Sequence, residues 1–468
     1  MMLTIYTGRS EKVACDGRTT ARRDFLQVGS LMLGSLSLPQ LLQARDESTR
    51  FVKDKSVVLL YLSGGASQIE TFDPKMTAPA EIRSVNGEVA TSIPGITFGA
   101  TLERLAARAR RMSVIRSHNH KVGAHEQAHV HVLTGGTDPS GSGKDGFGMG
   151  ALTARLRGAN HSESGIPTNC LLTVPEVDGQ YRKEVSRVRK GSRSLELGAS
   201  YAPFEPGGNS SALNNMKLSI PSTRFSDRRA LLASIDSWKR EVEGLRQVDG
   251  VDRFNQQAVD LLTGGAVDAI DVTKESPTVL AKYDTSEMQI GFKKFRPSML
   301  GHKMLMARRL CEAGAGFITV HSAGWDMHAD GNNPGMQTGM AMLGTTLDHA
   351  VSAFMDDLAE RGLTDKVLLV ITGDFGRTPR VNKKGGRDHW ARLGTLAFAG
   401  GGLKMGQVIG QSDRQAGEPI TTPYTTSHLM GTVMQTLFDV GEMRLVSGIP
   451  PQLRRLVEQS SAIPELMS

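Results

Sequence analysis

Aspartate and histidine residues collect in the C-terminal half of the chain, just after apolar runs. Asp326 and His328 follow the run at 317–320, Asp374 follows the run at 367–371, and His389 comes 15 residues after Asp374. Ligands of an open α/β sheet bind beyond the carboxyl ends of its strands. Carboxylates and imidazoles at such positions predict a site for a divalent metal, and Zn²⁺, Ca²⁺, Mg²⁺ and Mn²⁺ are all candidates.

The spacing of these side chains suggests how they could cooperate. Asp326 and His328 are two residues apart, so an extended loop would direct both towards one ion; Asp326 could instead cap the following helix. Asp330 is a spare carboxylate nearby. Asp388, next to His389, could orient a ligating imidazole through a hydrogen bond.

Arg377 is a cation close to this group in the sequence. Its guanidinium could bind an anionic oxygen through two parallel hydrogen bonds. It could equally pair with Asp374 or Asp388. Arg377 is therefore a candidate for stabilising negative charge on a substrate.

A second histidine-rich segment contains five histidines: His118, His120, His125, His129 and His131. Residues 125–129 match the H-E-x-x-H pattern of zinc peptidase helices, in which Glu126 would act as the general base. No further histidine follows at metzincin spacing, and no other glutamate occurs before Glu163. Coincidence within a histidine-rich segment is the alternative.

The pattern of apolar runs predicts the elements that position these residues. Strands are expected at 56–62, 112–116, 169–174, 317–320, 366–371 and 395–398, and helices at 101–111, 124–134, 227–265, 300–314, 335–361 and 425–438. Strands that alternate with helices at this spacing indicate an α/β fold, with a mostly parallel sheet and helices on both faces.

Residues 175–226 differ in composition from the rest of the chain. They are rich in Gly, Pro, Ser and Asn and include a basic run at 181–193. A solvated insertion is the interpretation that this composition favours, and a rim that attracts anions is the alternative. We expect residues 45–468 to form a single domain that carries this insertion.

The first 44 residues resemble a bacterial twin-arginine signal peptide. Arg22-Arg23-Asp24-Phe25-Leu26 precedes an apolar segment, Val28 to Leu42, which is too short for a membrane span. A short amphipathic helix is the alternative. We therefore expect the twin-arginine export machinery as a partner, a periplasmic or secreted protein, and no stable membrane span in the mature chain.

The bulk composition excludes some classes of partner and leaves others open. The formal net charge of +7 is too mild to indicate nucleic acid, but it is compatible with an anionic substrate. Cys15 lies in the predicted signal peptide. Cys170 and Cys311 lie in or beside apolar runs and are expected to be buried thiols, although a disulfide between them remains open.

Several motifs together resemble one family. They are Gly64-Gly65, Thr71-Phe72-Asp73-Pro74-Lys75, Gly324-Trp325-Asp326-x-His328, Phe375-Gly376-Arg377-Thr378-Pro379 and Gly386-Arg387-Asp388-His389-Trp390. Over residues 55–440 the chain resembles exported bacterial proteins of the family called domain of unknown function 1501, within the alkaline phosphatase and arylsulfatase superfamily. The resemblance implies an alkaline-phosphatase-like α/β/α sandwich with one or two metals at its strand ends.

The superfamily pattern also implies a position for the nucleophile, which begins a helix that ends nine or ten residues later in Thr-Gly. Thr134-Gly135 then places His125 at that position, where it could be a nucleophile, a base or a metal ligand. The sulfatase C-x-P-x-R motif is missing, because Leu-Leu-Thr follows Cys170. A formylglycine sulfatase is therefore not expected.

Two departures from the superfamily pattern concern the metals. Ser63-Gly64-Gly65 stands where relatives have an aspartate, for which Asp73 or Gln68 could substitute, and Phe375 stands where they have His or Asn. The resemblance thus implies either one metal bound by Asp326, His328 and His389, or a rebuilt pair that also uses Asp374 and recruits His125 or His129.

The resulting expectation is an exported, metal-dependent hydrolase of phosphate or sulfate esters, with Zn²⁺ as the favoured ion. Its substrate would be a small-molecule or polysaccharide anionic ester. The first alternative is a non-catalytic exported binding or assembly protein on the same scaffold. A zinc metallopeptidase that uses His125, Glu126 and His129 is a third, less favoured hypothesis.

Overall fold

The core of the protein is a seven-stranded β-sheet. The computed structural model describes residues 50–173, 178–179, 181–206, 224, 227 and 266–467. The strands are β1 (Ser56–Leu62), β2 (Glu88–Ala90), β3 (Thr97–Gly99), β4 (Met112–Ile115), β5 (Asn169–Leu172), β6 (Gln289–Ile290), β7 (Arg296–Pro297), β8 (Phe317–Ser322), β9 (Val367–Gly373), β10 (Gly376–Arg377), β11 (His389–Trp390), β12 (Leu396–Gly400) and β13 (Gln407–Ile409).

The strand order of the central sheet is β13-β4-β12-β9-β1-β8-β5. Its neighbouring strands are parallel except β12, which runs antiparallel to β4 and β9. The remaining strands form three short antiparallel pairs. The mostly parallel sheet predicted from the sequence is therefore confirmed.

Helices cover both faces of the sheet. They are α1 (Glu103–Ala107), α2 (His125–Leu133), α3 (Met149–Arg157), α4 (Tyr181–Gly191), α5 (Ala266–Ile270), α6 (Pro277–Lys282), α7 (Leu300–Glu312), α8 (Met336–Gly339), α9 (Thr345–Glu360), α10 (Thr426–Leu437), α11 (Val440–Leu445), α12 (Pro451–Gln459) and α13 (Pro464–Met467). Strand β1 is buried throughout, and its side chains alternate between two cores: Val58, Leu60 and Leu62 pack with α7 and α9, whereas Val57, Leu59 and Tyr61 pack with α2, α3 and α10.

Two predicted helices differ from the structure. The predicted helix 335–361 is interrupted, because a π-helical turn at Met340–Gly344 joins α8 to α9. Of the predicted helix 101–111, only α1 is α-helical, with 3₁₀ turns at Ala100–Leu102 and Ala109–Arg111. The predicted helices at 227–265 and the predicted signal peptide at 1–44 lie outside the described residues, Asp227 excepted.

The structure corrects the prediction of a solvated insertion over part of its length. The basic run at 181–193 forms α4, which packs against α2, and its Tyr181, Val185 and Val188 side chains are buried. The basic side chains therefore form only the outer face of an amphipathic helix, whose other face is part of the core.

Both cysteines within the described residues are free thiols. Burial raises the pKa of Cys311 to about 12 and raises that of Cys170 as well, so both remain protonated at neutral pH. No helix within the described ranges combines the length and apolar character needed to cross a membrane.

Candidate metal centre

The carboxyl ends of β1, β8 and β9 meet above the middle of the sheet. Their pairing register aligns Leu62 of β1 with both Ser322 of β8 and Gly373 of β9. Asp374 follows β9 directly, and Asp326 lies in the loop that follows β8. Both carboxylates therefore lie beyond the carboxyl ends of the two strands that flank β1.

The loop after β1 approaches the loop after β8 so closely that only glycine fits. Gly64 has a φ of +103°, and a Cβ atom there would lie 2.5 Å from the backbone nitrogen of Asp326. The same glycine donates its N–H to Asp374 Oδ1 over 3.0 Å. Gly64 thus allows one strand-end loop to contact both carboxylate-bearing loops.

Asp374 is fully buried beneath the first turn of α2. Its Oδ2 atom lies 2.5 Å from His125 Nδ1 and 3.4 Å from His129 Nδ1. Burial would raise the pKa of Asp374, but the imidazoles of His129 and His125 outweigh it and hold the pKa below its usual value. Asp374 is therefore an ionised ligand candidate in a protected position.

His125 lies between the two carboxylates. Its Nδ1 atom contacts Asp374, and its Nε2 atom is 3.3 Å from Asp326 Oδ2 without forming a hydrogen bond. Burial would lower the pKa of His125, but Asp374 and Asp326 outweigh it and raise the pKa to about 9. Both ring nitrogens therefore face anionic oxygens, which a neutral imidazole cannot satisfy with its single N–H.

Two further histidines converge on Asp326. Its Oδ1 atom is 2.9 Å from His328 Nε2 and 3.5 Å from His389 Nε2. Burial would raise the pKa of Asp326, but the surrounding histidines and the charge of Arg377 outweigh it and lower the pKa far below its usual value. Asp326 is thus also ionised.

The Nε2 atoms of His328 and His389 are only 2.9 Å apart. The Nδ1 atom of His328 contacts the Asp388 carboxylate at 2.8 Å, and the Nδ1 atom of His389 contacts the Gly123 carbonyl oxygen at 3.2 Å. Because both partners only accept hydrogen bonds, each neutral imidazole carries its proton on Nδ1. In the metal-free protein, the charge of Arg377, whose Nη1 lies 3.3 Å from His328 Nε2, and a proton on His328, whose pKa Asp326 raises, supply positive charge between these atoms. A bound divalent ion would supply it in their place.

The donor atoms form two groups of three that share His125: His125, His129 and Asp374, and His125, Asp326 and His389. Ligands of a tetrahedral zinc site with bonds of about 2.1 Å lie roughly 3.4 Å apart. The contacts from His129 to Asp374, from His125 to Asp326 and from His389 to Asp326 measure 3.4, 3.3 and 3.5 Å. The spacing of the second group therefore fits a divalent ion. In the first group His129 Nδ1 faces the carbonyl oxygen of His125 at 2.8 Å, so this nitrogen must give up that hydrogen bond to bind an ion.

The guanidinium of Arg377 faces Asp326, and not a substrate, Asp374 or Asp388 as the sequence suggests. It is fully buried, and its Nη2 atom lies 2.5 Å from Asp326 Oδ1. Its other N–H groups are directed at the carbonyl oxygens of Gly64, Gly65 and Arg387 and at His328. The guanidinium orients Asp326 and the loop after β1, and it does not present a free fork to a substrate.

Two residues that could replace the missing aspartate, Asp73 and Gln68, lie apart from the centre. Asp73 pairs with Lys75 and Arg116 and accepts a hydrogen bond from Ser412, so its charge is compensated elsewhere. Gln68 exchanges hydrogen bonds with the backbone of Arg377 and therefore supports that residue instead of replacing an aspartate.

The two other carboxylates named from the sequence also have local partners. Asp330 accepts hydrogen bonds from the backbone of Asn332 and Asn333, beside the centre but not in it. Glu126 pairs with Arg187 at the surface, 2.8 Å away, and its side chain is 59% exposed. Because Asp374, and not Glu126, contacts His125 and His129 of α2, the geometry does not provide the base that a zinc peptidase needs.

Glu184 is a site-supporting residue that the sequence reasoning missed. It is buried on α4, and its Oε2 atom accepts hydrogen bonds from Ser63 Oγ at 2.5 Å and from the Gly324 N–H at 2.9 Å. Burial outweighs these bonds and raises the pKa of Glu184 to about 7. One carboxylate therefore links the loops that follow β1 and β8.

The spacing of apolar residues in α4 indicates that Glu184 lies on the buried face of the helix. Tyr181, Glu184, Val185 and Val188 recur at the intervals of one helix face, which is the buried face. Acidic residues are rarely buried without a partner. A glutamate on the apolar face of a basic helix would have marked the segment as part of the site.

Comparison with known proteins places the chain in a family. No curated protein matches the sequence. Among solved structures, the phosphonate monoester hydrolase of Silicibacter pomeroyi is 11% identical with a TM-score of 0.38, over 87% of this chain and 77% of its own. A lipoteichoic acid synthase of Listeria monocytogenes is 11% identical with a TM-score of 0.37, over 84% and 77%.

A mutant alkaline phosphatase of the Antarctic bacterium TAB5, with bound Mg, is 10% identical with a TM-score of 0.36, over 83% of this chain and 99% of its own. The family model described as protein of unknown function (DUF1501) matches residues 54–467, which is most of the chain. The family inferred from the motifs is thereby confirmed, and the chain belongs to the DUF1501 family.

Proposed function

We propose that the protein is an exported, metal-dependent hydrolase of phosphate or sulfate esters. The observation that carries the proposal is the position of His125, whose two ring nitrogens face Asp374 and Asp326. Together with His129 and His389, these residues supply two adjacent three-ligand groups. Two such groups around one imidazole suit a centre that acts on an anionic oxygen.

Zn²⁺ is the ion that this donor set favours. Imidazole nitrogens make up two of the three donors in each group, whereas Ca²⁺ and Mg²⁺ prefer oxygen ligands and Mn²⁺ favours oxygen-rich sets. Two histidines, one carboxylate and an open position are also typical of catalytic zinc sites. A bound ion would polarise the ester oxygen and lower the pKa of the attacking water.

The role of His125 follows from its surroundings. A nucleophilic nitrogen must be bare and reachable by the substrate. His125 Nδ1 is engaged by Asp374, and Nε2 is buried and faces Asp326. We therefore assign His125 as a ligand shared by the two groups, which would release its ring protons when metal binds, in preference to the covalent nucleophile that the superfamily pattern suggested.

The other residues orient the ligands. Asp388 keeps the proton of His328 on Nδ1, so its Nε2 lone pair is directed at the centre. Arg377 compensates part of the charge of Asp326 and orients its Oδ1 atom. The export part of the proposal rests on the twin-arginine motif at Arg22 and Arg23.

A non-catalytic binding or assembly protein is the second candidate. It is favoured by the inward orientation of Arg377 and the engagement of both His125 nitrogens, which leave neither residue free to attack or clamp an ester. The protein would then bind metal and an anionic ligand without turnover.

Metal analysis of the purified protein, followed by a panel of phosphate and sulfate esters, separates the two candidates. The hydrolase predicts bound zinc and turnover that is lost on chelation and restored by added Zn²⁺. Bound zinc without turnover of any ester would support the binding protein. Protein that binds no divalent ion would contradict the hydrolase.

A further inference from the structure

The segment between β4 and α2 leads the chain to His125, and the buried side chain of His120 lies in the middle of this segment. His120 is only 7% exposed and belongs to neither three-ligand group. Its backbone N–H donates to the carbonyl oxygen of Ala391 over 3.0 Å, which attaches the segment to the chain that follows β11. A buried histidine beside two groups of candidate ligands, but in neither, has a role other than that of a ligand.

Both ring nitrogens of His120 are engaged by backbone groups. The Nε2 atom lies 2.7 Å from the carbonyl oxygen of Asp374, and the Nδ1 atom accepts the N–H of Val122 over 3.1 Å. A carbonyl oxygen only accepts and a backbone N–H only donates, so the ring carries its proton on Nε2 and a lone pair on Nδ1. Burial and the nearby His131 lower the pKa of His120 to about 4, so this neutral form persists at neutral pH.

The first contact of His120 restrains the backbone of Asp374. The carbonyl oxygen that accepts from His120 and the carboxylate oxygen that faces His125 belong to the same residue. The N–H of Gly64 holds the other carboxylate oxygen. A displacement of the Asp374 backbone would move its Oδ2 atom away from His125 and His129. The hydrogen bond from His120 therefore helps to fix the geometry of the first three-ligand group.

The second contact of His120 reaches His389 through the segment itself. By accepting the Val122 N–H, the ring holds the backbone two residues further along the chain. The next residue, Gly123, directs its carbonyl oxygen at the Nδ1 atom of His389 over 3.2 Å. This carbonyl keeps the His389 proton on Nδ1 and leaves Nε2 to face Asp326. One imidazole therefore supports a ligand of the first group directly and a ligand of the second group through Gly123.

We propose that His120 is a positioning residue that holds Asp374 and His389 in the arrangement that binds metal. The role in metal binding rests on the proposed function, whereas the orientation of the two side chains does not. Because Asp374 and His389 belong to different three-ligand groups, loss of His120 should weaken both. For His120→Ala we expect zinc affinity, measured by competition with a chelator, to fall by about 10- to 100-fold, as it does when a supporting partner is lost.

Two conservative variants separate the contacts of His120. Glutamine can place an amide N–H near the position of Nε2, so His120→Gln can still donate to the Asp374 carbonyl oxygen. Asparagine can place its amide oxygen near the position of Nδ1, so His120→Asn can still accept the Val122 N–H. H120Q should therefore bind zinc to within about fivefold of the unsubstituted protein at the group that contains Asp374, whereas H120N should lose affinity there as H120A does. No recovery in H120Q would overturn the proposal.

His118→Ala is the matched control. His118 lies in the same segment, is 2% exposed, and has its Nδ1 atom 3.0 Å from the carbonyl oxygen of Tyr424, which is in neither group. Both alanine variants remove a buried imidazole that contacts a backbone carbonyl, so both should unfold at lower urea concentration. Only His120→Ala should also lose zinc affinity. Equal losses of zinc affinity in the two variants would show that His120 supports the fold and not the ligands.

A measurement without metal separates this proposal from the proposed function. In EDTA, the ¹⁵N NMR signals of His389, assigned by their loss in His389→Gln, report which ring nitrogen carries the proton. The unsubstituted protein and H120N should show the proton on Nδ1, and H120A should show a mixture of both tautomers. An unchanged His389 tautomer in H120A would overturn the positioning role. A shifted tautomer in a protein that binds no zinc would contradict the hydrolase and leave the positioning of His389 intact.

Discussion

His125 Nδ1 lies 2.5 Å from Asp374 Oδ2, and this contact joins the first residue of α2 to the residue that follows β9. The opposite nitrogen of the same ring faces Asp326. One imidazole therefore belongs to both three-ligand groups, so the two groups cannot be independent.

Removal of His125 should affect both groups at once. For His125→Ala we expect zinc affinity to fall by more than about 100-fold at every site, since loss of a supporting partner alone costs 10- to 100-fold. His389→Ala should weaken one group and leave the group of His125, His129 and Asp374. Metal content after dialysis and competition titration with a chelator measure both effects.

His349→Ala is the control for these variants, because His349 lies on α9 outside both groups. It should retain the full metal content. If His125→Ala kept the metal content of the control, the assignment of His125 as a shared ligand would be wrong.

Arg377 should contribute to folding more than a surface arginine does. It is fully buried and compensates Asp326, so Arg377→Ala leaves a carboxylate without its guanidinium partner. Loss of one member of a buried ion pair typically costs about 3–5 kcal/mol. We expect a decrease of that size in the free energy of unfolding, measured by urea denaturation in EDTA.

Two further variants control this experiment. Arg380→Ala removes a 72% exposed arginine of the same loop and should change the free energy of unfolding by less than about 0.5 kcal/mol. Arg377→Lys should recover little, because lysine cannot reproduce the fork that reaches Asp326 and the carbonyl oxygens together. A small loss for Arg377→Ala would show that Asp326 does not need this partner.

The parts of the centre that could be predicted are those that local pattern determines. Asp326 and Asp374 follow apolar runs, and parallel strands bring such positions to one edge of a sheet. The helix that begins at His125 was also marked by its apolar spacing and by Gly135. The sequence therefore predicts the region of the sheet in which most of the candidate ligands lie.

The remaining features depend on contacts between residues distant in sequence. His125 and Asp374 are separated by 249 positions. The orientation of the Arg377 side chain depends on the carbonyl oxygens of Gly65 and Gly64, which are 312 and 313 positions away. Motif spacing suggests that a residue is near the site but does not fix the atoms that it faces. For this reason Arg377 was assigned to a substrate, although it faces Asp326, and Asp73 was assigned to a metal, although it faces Arg116.

Gly64 offers a test of the close approach between the loops after β1 and β8. In Gly64→Ala the new Cβ would meet the Asp326 backbone nitrogen at 2.5 Å, so the loops must separate. We expect a loss of about 2–4 kcal/mol in the free energy of unfolding, because the cost of a positive φ at alanine is added to the cost of separating the loops. Zinc binding should also weaken, because the loop that carries Asp326 is displaced.

Gly448→Ala separates the two contributions. Gly448 has a similar φ of +90°, but a Cβ atom there meets nothing within 4 Å. This control should lose only the cost of the backbone conformation, about 1 kcal/mol, and should bind zinc normally. Equal losses for the two variants would show that the loop contact adds nothing to the backbone cost.

Glu184 should give the protein a pH-dependent stability. Its ordinary pKa of 4.5 is raised to about 7 by burial, so between these pH values the unfolded chain has released a proton that the folded protein retains. The contribution of Glu184 to stability is therefore full below pH 4.5 and falls as the pH rises to about 7, by a total of about 3 kcal/mol. Glu184→Gln has no proton to release and can still accept the hydrogen bonds of Ser63 and Gly324. Relative to the unsubstituted protein, E184Q should gain stability across this range in urea denaturation with EDTA.

Glu126→Gln is the control. The hydrogen bond from Arg187 lowers the pKa of the exposed Glu126, so the stability of E126Q relative to the unsubstituted protein should change with pH in the opposite direction. A stability difference between E184Q and the unsubstituted protein that stayed constant from pH 4.5 to 7 would mean that Glu184 ionises in the fold as readily as in the unfolded chain.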